Sequence, residues 1–194
     1  MLVSLKNAGK NYGCIKALEG LTFDIEKGDI VSFIGPSGSG KTTLLKLLAG
    51  LEEPSEGEVI FHKSVSREHP AVMVFQDYLL FPHMNIFDNV AFGLKSRKLD
   101  KSVIKDRVCT FLEYFGIPDK AKSYPKQLSA GQQQRAAIAR AMVIEPALLL
   151  LDEPFANLDK NLKAGTAEFI RGIQKKLGTT TVSVTHDQEE AFAM

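Results

Sequence analysis

The feature that most constrains the fold of this chain is a glycine-rich loop, which reads Gly35, Pro36, Ser37, Gly38, Ser39, Gly40, Lys41, Thr42 and Thr43. An apolar run at residues 30–34 precedes the loop, and a largely apolar run at residues 44–48 follows it. A strand, a glycine loop and a helix in this order form a phosphate cradle, because backbone N–H groups and the positive end of the helix dipole face one anion. This context disfavours an ordinary strand-to-helix turn. We therefore expect a nucleoside triphosphate site here.

Polar side chains follow the other predicted strands. The strands at residues 71–75, 147–151 and 180–185 are followed by Gln76, by Asp152 and Glu153, and by His186. Lys41 of the glycine loop can reach the β- and γ-phosphates. The oxygen atoms of Thr42, Gln76 and Asp152 suit Mg²⁺, and Glu153 suits a general base that acts on water. For Gln76 and His186 a purely structural role at a strand end stays open on the residues alone.

The whole pattern predicts an α/β fold, since strands and helices alternate. Residues 2–6 and 21–25 predict short, half-buried strands, and residues 147–151 predict a central parallel strand because they are nearly all apolar. From about residue 81 to 145 the spacing is helical, which indicates a helical insertion into the core. One predicted helix of this insertion has an apolar face made of Val103, Ile104, Val108, Phe111, Leu112 and Phe115.

A second candidate phosphate surface lies at residues 128–132, ahead of a helix predicted over Gln133 to Ile144. There Ser129 and Gly131 stand at a helix N-terminus, which suits an anion. Upstream of the glycine loop, Tyr12 can stack on a nucleotide base. An ordinary tyrosine in a turn is the alternative for that position.

Composition excludes some classes of function. A net charge of +1 does not favour a nucleic-acid partner, which would require a basic excess. The two cysteines, Cys14 and Cys109, lack metal-ligand spacing and are interpreted as reduced thiols. No apolar run approaches the roughly 20 residues that a membrane-spanning helix needs. A role in transport would therefore need another chain for passage through the membrane.

With these motifs in this order, the chain resembles the nucleotide-binding subunit of ATP-binding cassette (ABC) transporters from about residue 2 to its last residue. The resemblance implies a P-loop NTPase core, residues 1–80 and 146–194, with a small antiparallel β subdomain. Residues 81–145 would form an inserted helical subdomain. The end of the domain would then be missing, since members of this family continue beyond the histidine that resembles His186.

The resemblance also assigns each motif. Residues 35–43 resemble Walker A, Gln76 the Q-loop, residues 148–152 with Glu153 Walker B and its catalytic glutamate, and His186 the switch histidine. Asn157, Leu158 and Asp159 resemble the D-loop, and residues 128–132 the signature motif, with Ala130 where the family normally has glycine. The implied catalytic set is Lys41, Gln76, Glu153 and His186, and Tyr12 would stack on adenine.

Partners follow from the same resemblance. Two subunits would dimerise head to tail, so that Ser129, Gly131 and Gln132 contact the ATP held by the opposite chain. ATP and Mg²⁺ are the implied ligands. The dimer would act on membrane permease subunits and, through them, on a solute-binding protein, from the cytoplasmic face of the cell membrane. Residues 76–90 are most similar to importers of the polyamine, iron(III), sulfate, molybdate and maltose group.

Other functions remain open from the sequence. One is a fragment that binds nucleotide without hydrolysing it. Another is an ABC ATPase outside transport, acting on DNA repair, chromosomes or the ribosome, although the short insertion and single cassette disfavour it. A GTPase switch is disfavoured because the chain has no Asn-Lys-x-Asp motif.

Overall fold

The computed structural model describes residues 1–158 and 160–193. Asp159 of the predicted D-loop and Met194 lie outside these residues. The strands are β1 (Val3–Tyr12), β2 (Ile15–Ile25), β3 (Ile30–Ile34), β4 (Glu56–Phe61), β5 (Ala71–Val74), β6 (Leu148–Asp152) and β7 (Thr180–Thr185). The α-helices are α1 (Lys41–Leu48), α2 (Ile86–Ser96), α3 (Lys101–Tyr114), α4 (Ala130–Met142), α5 (Lys160–Leu177) and α6 (Gln188–Ala193).

A four-stranded parallel sheet with the order β3-β7-β6-β5 forms the centre of the fold. All residues of β6 and β7 are buried, as expected for parallel strands covered on both faces. Successive side chains of β6 point to opposite faces, so Leu149 and Leu151 join one apolar cluster while Leu148 and Leu150 join another. The prediction of an α/β fold with β6 as a central strand is confirmed.

A second, three-stranded antiparallel sheet has the order β2-β1-β4. The predicted bounds of its first two strands, 2–6 and 21–25, were wrong because the strands continue to the hairpin at residues 13–14. The β1–β2 register shifts three times between Leu5 and Asn11. Such bulges interrupt the alternation of buried and exposed residues, and that alternation is the signal from which strand length is predicted.

The helical insertion consists of α2, α3 and α4, with two short 3-10 turns between α3 and α4. Five of the six predicted core residues of α3 and its C-terminal end are buried, but Val103 is 40% exposed. Its place in the apolar face was therefore wrong, because Val103 lies well outside the arc that Ile104, Val108 and Phe111 present to the core. The helix predicted from Gln133 begins instead at Ala130, since Ser129 is its N-cap.

Among the helices that the structure describes, none has the length and apolar character required to cross a membrane.

The different burial of two α3-region side chains gives a stability prediction. Phe115 is fully buried, so Phe115→Ala should lower the free energy of unfolding by about 3–5 kcal/mol through lost burial and the cavity left behind. Val103→Ala should change it by less than about 0.5 kcal/mol, as for most surface substitutions. Urea unfolding of both variants measures the difference, and equal losses would contradict the burial described here.

Candidate functional site

The carboxyl ends of the parallel strands bring the predicted site residues to one edge of the sheet. Ile34 pairs with Thr185 and Asp152 with Val184, so the residues that follow these strands leave the sheet side by side. Two backbone bonds extend this order beyond the strands. The N–H of Gly35 donates to Thr185 O at 3.2 Å, and that of Glu153 donates to Val184 O at 3.0 Å. In open α/β sheets this edge is where ligands bind.

The glycine loop connects β3 to α1 at this edge. Gly38 and Gly40 have φ angles of +82° and +87°, which L side chains adopt only under strain. Lys41, the first residue of α1, extends back over the loop, where its Nζ donates to Gly35 O at 2.8 Å and to Pro36 O at 3.0 Å. The ammonium group therefore lies within the loop, as a phosphate cradle requires.

Gly40 also permits the antiparallel sheet to pack against the loop. A Cβ atom added at Gly40 would collide with the carbonyl oxygen of Ala17 in β2 and come within 2.7 Å of Leu18 Cδ2. At Gly38, by contrast, an added Cβ would meet nothing within 4 Å. The β1–β2 hairpin thus approaches the glycine loop closely at Gly40, where no side chain would fit.

This contrast predicts unequal effects of two alanine substitutions in the same loop. Gly38→Ala should cost about 1 kcal/mol of stability, for the left-handed backbone alone. Gly40→Ala adds a steric clash with backbone and should cost about 2–4 kcal/mol in total. Thermal unfolding of the two variants tests this, and a Gly38→Ala variant as unstable as Gly40→Ala would refute the close approach of β2.

Thr42 and Asp152 meet at the centre of the edge. Thr42 Oγ1 donates to Asp152 Oδ1 at 3.2 Å, and Asp152 is buried. Burial raises the pKa of Asp152, and the neighbouring charge of Glu153 raises it further, while the hydrogen bond from Thr42 and the charges of Lys41 and Lys46 lower it. A buried carboxylate with a raised pKa is electrostatically suited to receive a cation.

The raised pKa predicts a pH-dependent gain in stability for Asp152→Asn, measured without nucleotide and with a chelator. Ionised Asp152 destabilises the folded state at pH values above its folded pKa, and this cost vanishes below the unfolded value, where both states are protonated. Asp152→Asn should therefore raise Tm at neutral pH, and the gain should disappear as the pH falls below the ordinary value of 3.8.

Asp119→Asn is the control, since hydrogen bonding to Lys120 lowers the pKa of that exposed carboxyl. It should give no gain at neutral pH. A pH-independent effect of Asp152→Asn would contradict the assignment.

Glu153 lies between two potential cations. Its Oε1 is 3.5 Å from Lys41 Nζ, and its Oε2 is 3.0 Å from His186 Nδ1. Its φ angle is +43°, a conformation that non-glycine residues keep mainly at functional sites. The side chain is 17% exposed, so it is largely shielded by protein. The structure thus brings three predicted catalytic residues, Lys41, Glu153 and His186, into direct contact.

The turn that carries His186 is held by a partly buried ion pair. Glu190 of α6 accepts from Lys163 Nζ at 2.7 Å and from Thr185 Oγ1 at 2.6 Å. The same hydroxyl oxygen of Thr185 accepts from the N–H of Asp187 at 3.0 Å. His186 is therefore flanked on both sides by fixed residues.

Gln76 follows β5 at the same edge and is exposed. Its carbonyl oxygen accepts from Asn157 Nδ2 at 3.0 Å, which joins the predicted Q-loop to the predicted D-loop. Among the hydrogen bonds of residues 1–158 and 160–193, none links the Gln76 side chain to Thr42 or Asp152. The structure therefore brings Gln76 to the edge without joining its amide to Thr42 and Asp152, the other predicted Mg²⁺ ligands.

Tyr12 is the last residue of β1 and is 42% exposed. Its hydroxyl donates to Glu52 Oε2, and this carboxylate is also 3.3 Å from Lys10 Nζ and 3.3 Å from Lys46 Nζ. The hydrogen bond from Tyr12 lowers the pKa of Glu52, and the two lysines act in the same direction. Lys46 belongs to α1, so Glu52 ties the Tyr12 ring to the helix of the glycine loop.

The second predicted phosphate surface is the N-terminus of α4. Ser129 Oγ accepts from the N–H of Gln132 at 3.4 Å, and Gln132 Oε1 accepts from the N–H of Ser129 at 3.1 Å, a reciprocal capping box. An added Cβ at Gly131 would lie 3.7 Å from Leu158 Cδ2. Within the described part of the chain, no hydrogen bond joins these residues to loop residues 35–43. The two phosphate surfaces are therefore separate within one chain.

Three residues of this region were missed from the sequence, namely Glu52, Glu190 and Arg140 of α4, which donates to the carbonyl oxygens of Tyr78 and Leu79 in the loop after Gln76. The signal for Arg140 was present, because a charge among the alanines of α4 must find a partner. Glu52 and Glu190 lie in charged stretches of the sequence. There the sequence alone cannot distinguish a buried or bridging carboxylate from one exposed to solvent.

Comparison with known proteins agrees with this geometry. The ABC transporter family matches residues 18–156. The chain is 46% identical to the Fe(3+) ions import ATP-binding protein FbpC 1 of Rhizobium meliloti, over 99% of this chain and 56% of the relative. It is 44% identical to the sulfate/thiosulfate import ATP-binding protein CysA of Pseudomonas aeruginosa, over 99% of this chain and 61% of the relative. The chain thus spans little more than half the length of these curated relatives.

Solved structures share the fold. The dimeric ATP-binding cassette MJ0796, in a post-hydrolysis state bound to ADP and Pi, aligns with a TM-score of 0.85 and 33% identity, over 99% of this chain and 91% of that one. The cbiO1 protein of Clostridium perfringens, part of the ABC transporter complex cbiONQ, aligns with a TM-score of 0.86 and 33% identity, over 96% and 78% of the two chains.

Proposed function

This chain belongs to the ABC transporter family, and we propose that it binds and hydrolyses ATP to power solute import through a partner permease. The observation that carries the proposal is the position of the Glu153 carboxylate, 3.5 Å from Lys41 Nζ and 3.0 Å from His186 Nδ1. These groups stand where the glycine loop meets the strand edge. A phosphate held by the loop would lie beside a base, an ammonium group and an imidazole.

Each group has a distinct role in the proposed reaction. Glu153 accepts a proton from the attacking water and holds that water in line with the γ-phosphate. Lys41 and the N–H groups of residues 35–43 stabilise the negative charge that develops on the phosphate oxygens. His186 hydrogen-bonds the γ-phosphate and helps to hold the attacking water. Catalysis by this set consists of positioning and electrostatic stabilisation.

The oxygen donors of the site fit Mg²⁺. Thr42 Oγ1 and Asp152 Oδ1 are 3.2 Å apart, close to the roughly 3 Å between adjacent corners of an octahedron with bonds of about 2.1 Å. We propose Thr42, Asp152 and Gln76 as the residues that hold the ion, directly or through water. When bound, Mg²⁺ neutralises charge on the β- and γ-phosphates.

Base recognition would come from Tyr12, whose exposed ring is held by its hydroxyl. The hydrogen bond to Glu52 limits rotation of the ring before nucleotide arrives, which lowers the entropic cost of stacking. A stacked ring tolerates any purine, so this contact supplies affinity more than selectivity.

A complete site would contain two chains. Ser129, Gly131 and Gln132 form a helix N-terminus without a link to the loop of their own chain, so we propose that they contact the ATP of the opposite subunit in a head-to-tail homodimer. That the similar cassette MJ0796 is dimeric when bound to ADP and Pi supports a dimer. Closure would exclude water and complete the catalytic set.

Coupling to transport would use the helical insertion. We propose that residues 81–145 form a subdomain that contacts membrane permease subunits and, through them, serves a solute-binding protein. The loop that follows Gln76 would act as its hinge to the core at residues 1–80 and 146–194. The protein would then be peripheral on the cytoplasmic face of the cell membrane. Relatives named as iron(III) and sulfate import proteins support an importer of that group.

The Glu153→Gln variant tests this function. It should keep ATP affinity but lose turnover by a factor on the order of 10²–10⁴, because the amide cannot take a proton. ATP-bound dimer should accumulate as a consequence. Phosphate release, equilibrium nucleotide binding and size-exclusion chromatography measure the three properties.

Lys41→Ala is the matched control at the other side of the same contact, and it should lose ATP affinity instead. Unchanged phosphate release by Glu153→Gln would falsify Glu153 as the base. Wild-type affinity of Lys41→Ala would exclude the loop as the phosphate cradle.

A further inference from the structure

The loop between β5 and α2 contains two strained residues in succession. Tyr78 and Leu79 have φ angles of +60° and +44°, in the left-handed region that bulky L residues rarely occupy. The loop begins at Gln76 and closes on itself, since the N–H of Tyr78 donates to Phe75 O at 2.9 Å and that of Leu79 donates to Asp77 O at 2.6 Å. Such a conformation persists only where the surroundings impose it.

Arg140 of α4 supplies that constraint. Its NH1 group donates to Leu79 O at 2.8 Å, and its NH2 group donates to Tyr78 O at 2.9 Å. The guanidinium carbon also lies 5.2 Å from the centre of the Phe81 ring. One planar group thus binds the carbonyl oxygens of both strained residues and stacks on a third residue of the loop.

The ends of the loop are fixed by other residues. Asn157 donates to Gln76 O at 3.0 Å. Asn89, which is fully buried, accepts from the N–H of Phe81 at 2.8 Å and donates to Phe81 O at 3.1 Å. Arg140 therefore acts on the middle of the loop, where the strain is.

We propose that Arg140 is a positioning residue that holds the Gln76 loop in its strained form and thereby sets the reach of Gln76 toward the metal-binding oxygens. The proposal rests on the proposed ATPase function. Arg140 lies on α4, the helix whose N-cap is Ser129, so a displacement of α4 is transmitted to Gln76 through this contact. The helix that would sense the nucleotide of the opposite subunit then also controls the loop of its own site.

Arginine is required here for geometric reasons. Its fork presents two N–H donors in one plane and can stack on an aromatic ring at the same time. A lysine keeps the positive charge but reaches one carbonyl oxygen at a time and loses the stacking contact. We call the two hydrogen bonds of Arg140 to Tyr78 O and Leu79 O, together with its contact to Phe81, the Arg140 clamp. The Arg140→Lys variant keeps the positive charge but removes this clamp, so it separates the two effects.

Arg135→Lys provides a matched control on the same helix. Arg135 also stacks on a phenylalanine, with its guanidinium carbon 4.5 Å from the centre of the Phe169 ring, and its NH1 group donates to Phe115 O at 3.5 Å. Its partners belong to α3, α5 and their connections rather than to the Gln76 loop. Both variants thus replace an arginine of α4 with lysine, but only Arg140→Lys removes the Arg140 clamp.

Two measurements test the effect of the Arg140 clamp. The first is steady-state ATP hydrolysis, in which Arg140→Lys should lower kcat on the order of tenfold, since small misplacements of catalytic groups have such effects. KM for ATP should stay within about twofold of the parent value, because the glycine loop is not altered. Arg135→Lys should leave both constants near those of the parent.

The second readout does not depend on nucleotide. The chain contains four tyrosines and no tryptophan, so Asp77→Trp at an exposed loop position introduces a single tryptophan, whose fluorescence is excited selectively at long wavelength. Acrylamide quenching of this fluorophore should increase in the Arg140→Lys background and stay unchanged in the Arg135→Lys background. Thermal unfolding of each variant verifies that the fold is retained.

A rescue separates strain from general stability. Leu79 is 54% exposed, and asparagine tolerates the left-handed conformation better than leucine does. Adding Leu79→Asn to Arg140→Lys should restore most of kcat and lower the quenching again. A loss caused only by weaker packing of α4 would not be restored in this way.

The outcomes are distinct. If Arg140→Lys and Arg135→Lys do not differ in kcat or in quenching, the proposal is overturned. If the parent itself fails to hydrolyse ATP while the quenching difference and its rescue persist, the proposed ATPase function fails, whereas the hold of Arg140 on the loop is supported.

Discussion

The parallel register of β3, β7 and β6 is the constraint on which the rest of the structure depends. It aligns three strand ends, so that Gly35, Glu153 and His186 emerge side by side although they are far apart in the chain. Strands β6 and β7 are buried along their whole length, whereas β3 is only partly buried. A shift of register would therefore displace the apolar side chains of β6 and β7 from their packed positions. The core thus fixes the positions of Glu153 and His186, the proposed catalytic groups that follow β6 and β7, because moving either of them would require moving a whole buried strand.

Charge at this edge is only partly compensated within the protein. The carboxylates of Asp152 and Glu153 are adjacent in sequence, and ionising both in a shielded site is costly unless partners are near. Lys41 contacts Glu153, Thr42 donates to Asp152, and His186 contacts Glu153 from the other side. These contacts stabilise a set of groups that a triphosphate and a cation would complement further.

The helical insertion is joined to the same edge by polar contacts of α4. Buried Gln134 donates to Pro154 O at 2.8 Å, next to Glu153, while Arg140 binds the carbonyl oxygens of Tyr78 and Leu79. Each of these contacts links a helix side chain to a backbone carbonyl of a loop. The helix therefore touches two functional loops at once, so that a rigid displacement of α4 reaches both of them.

The sequence by itself determined the α/β class, the phosphate loop and the polar residues at the strand ends, because these depend on local periodicity and on residues adjacent in the chain. It did not determine the length of β1 and β2, the exposure of Val103, or the roles of Glu52, Arg140 and Glu190. Those were decided by the tertiary structure, since bulges, packing arcs and side-chain partners depend on which distant segments meet. Arg140 illustrates the reason, because its partners Tyr78 and Leu79 are about sixty positions away in the chain and become neighbours only when α4 packs beside β5.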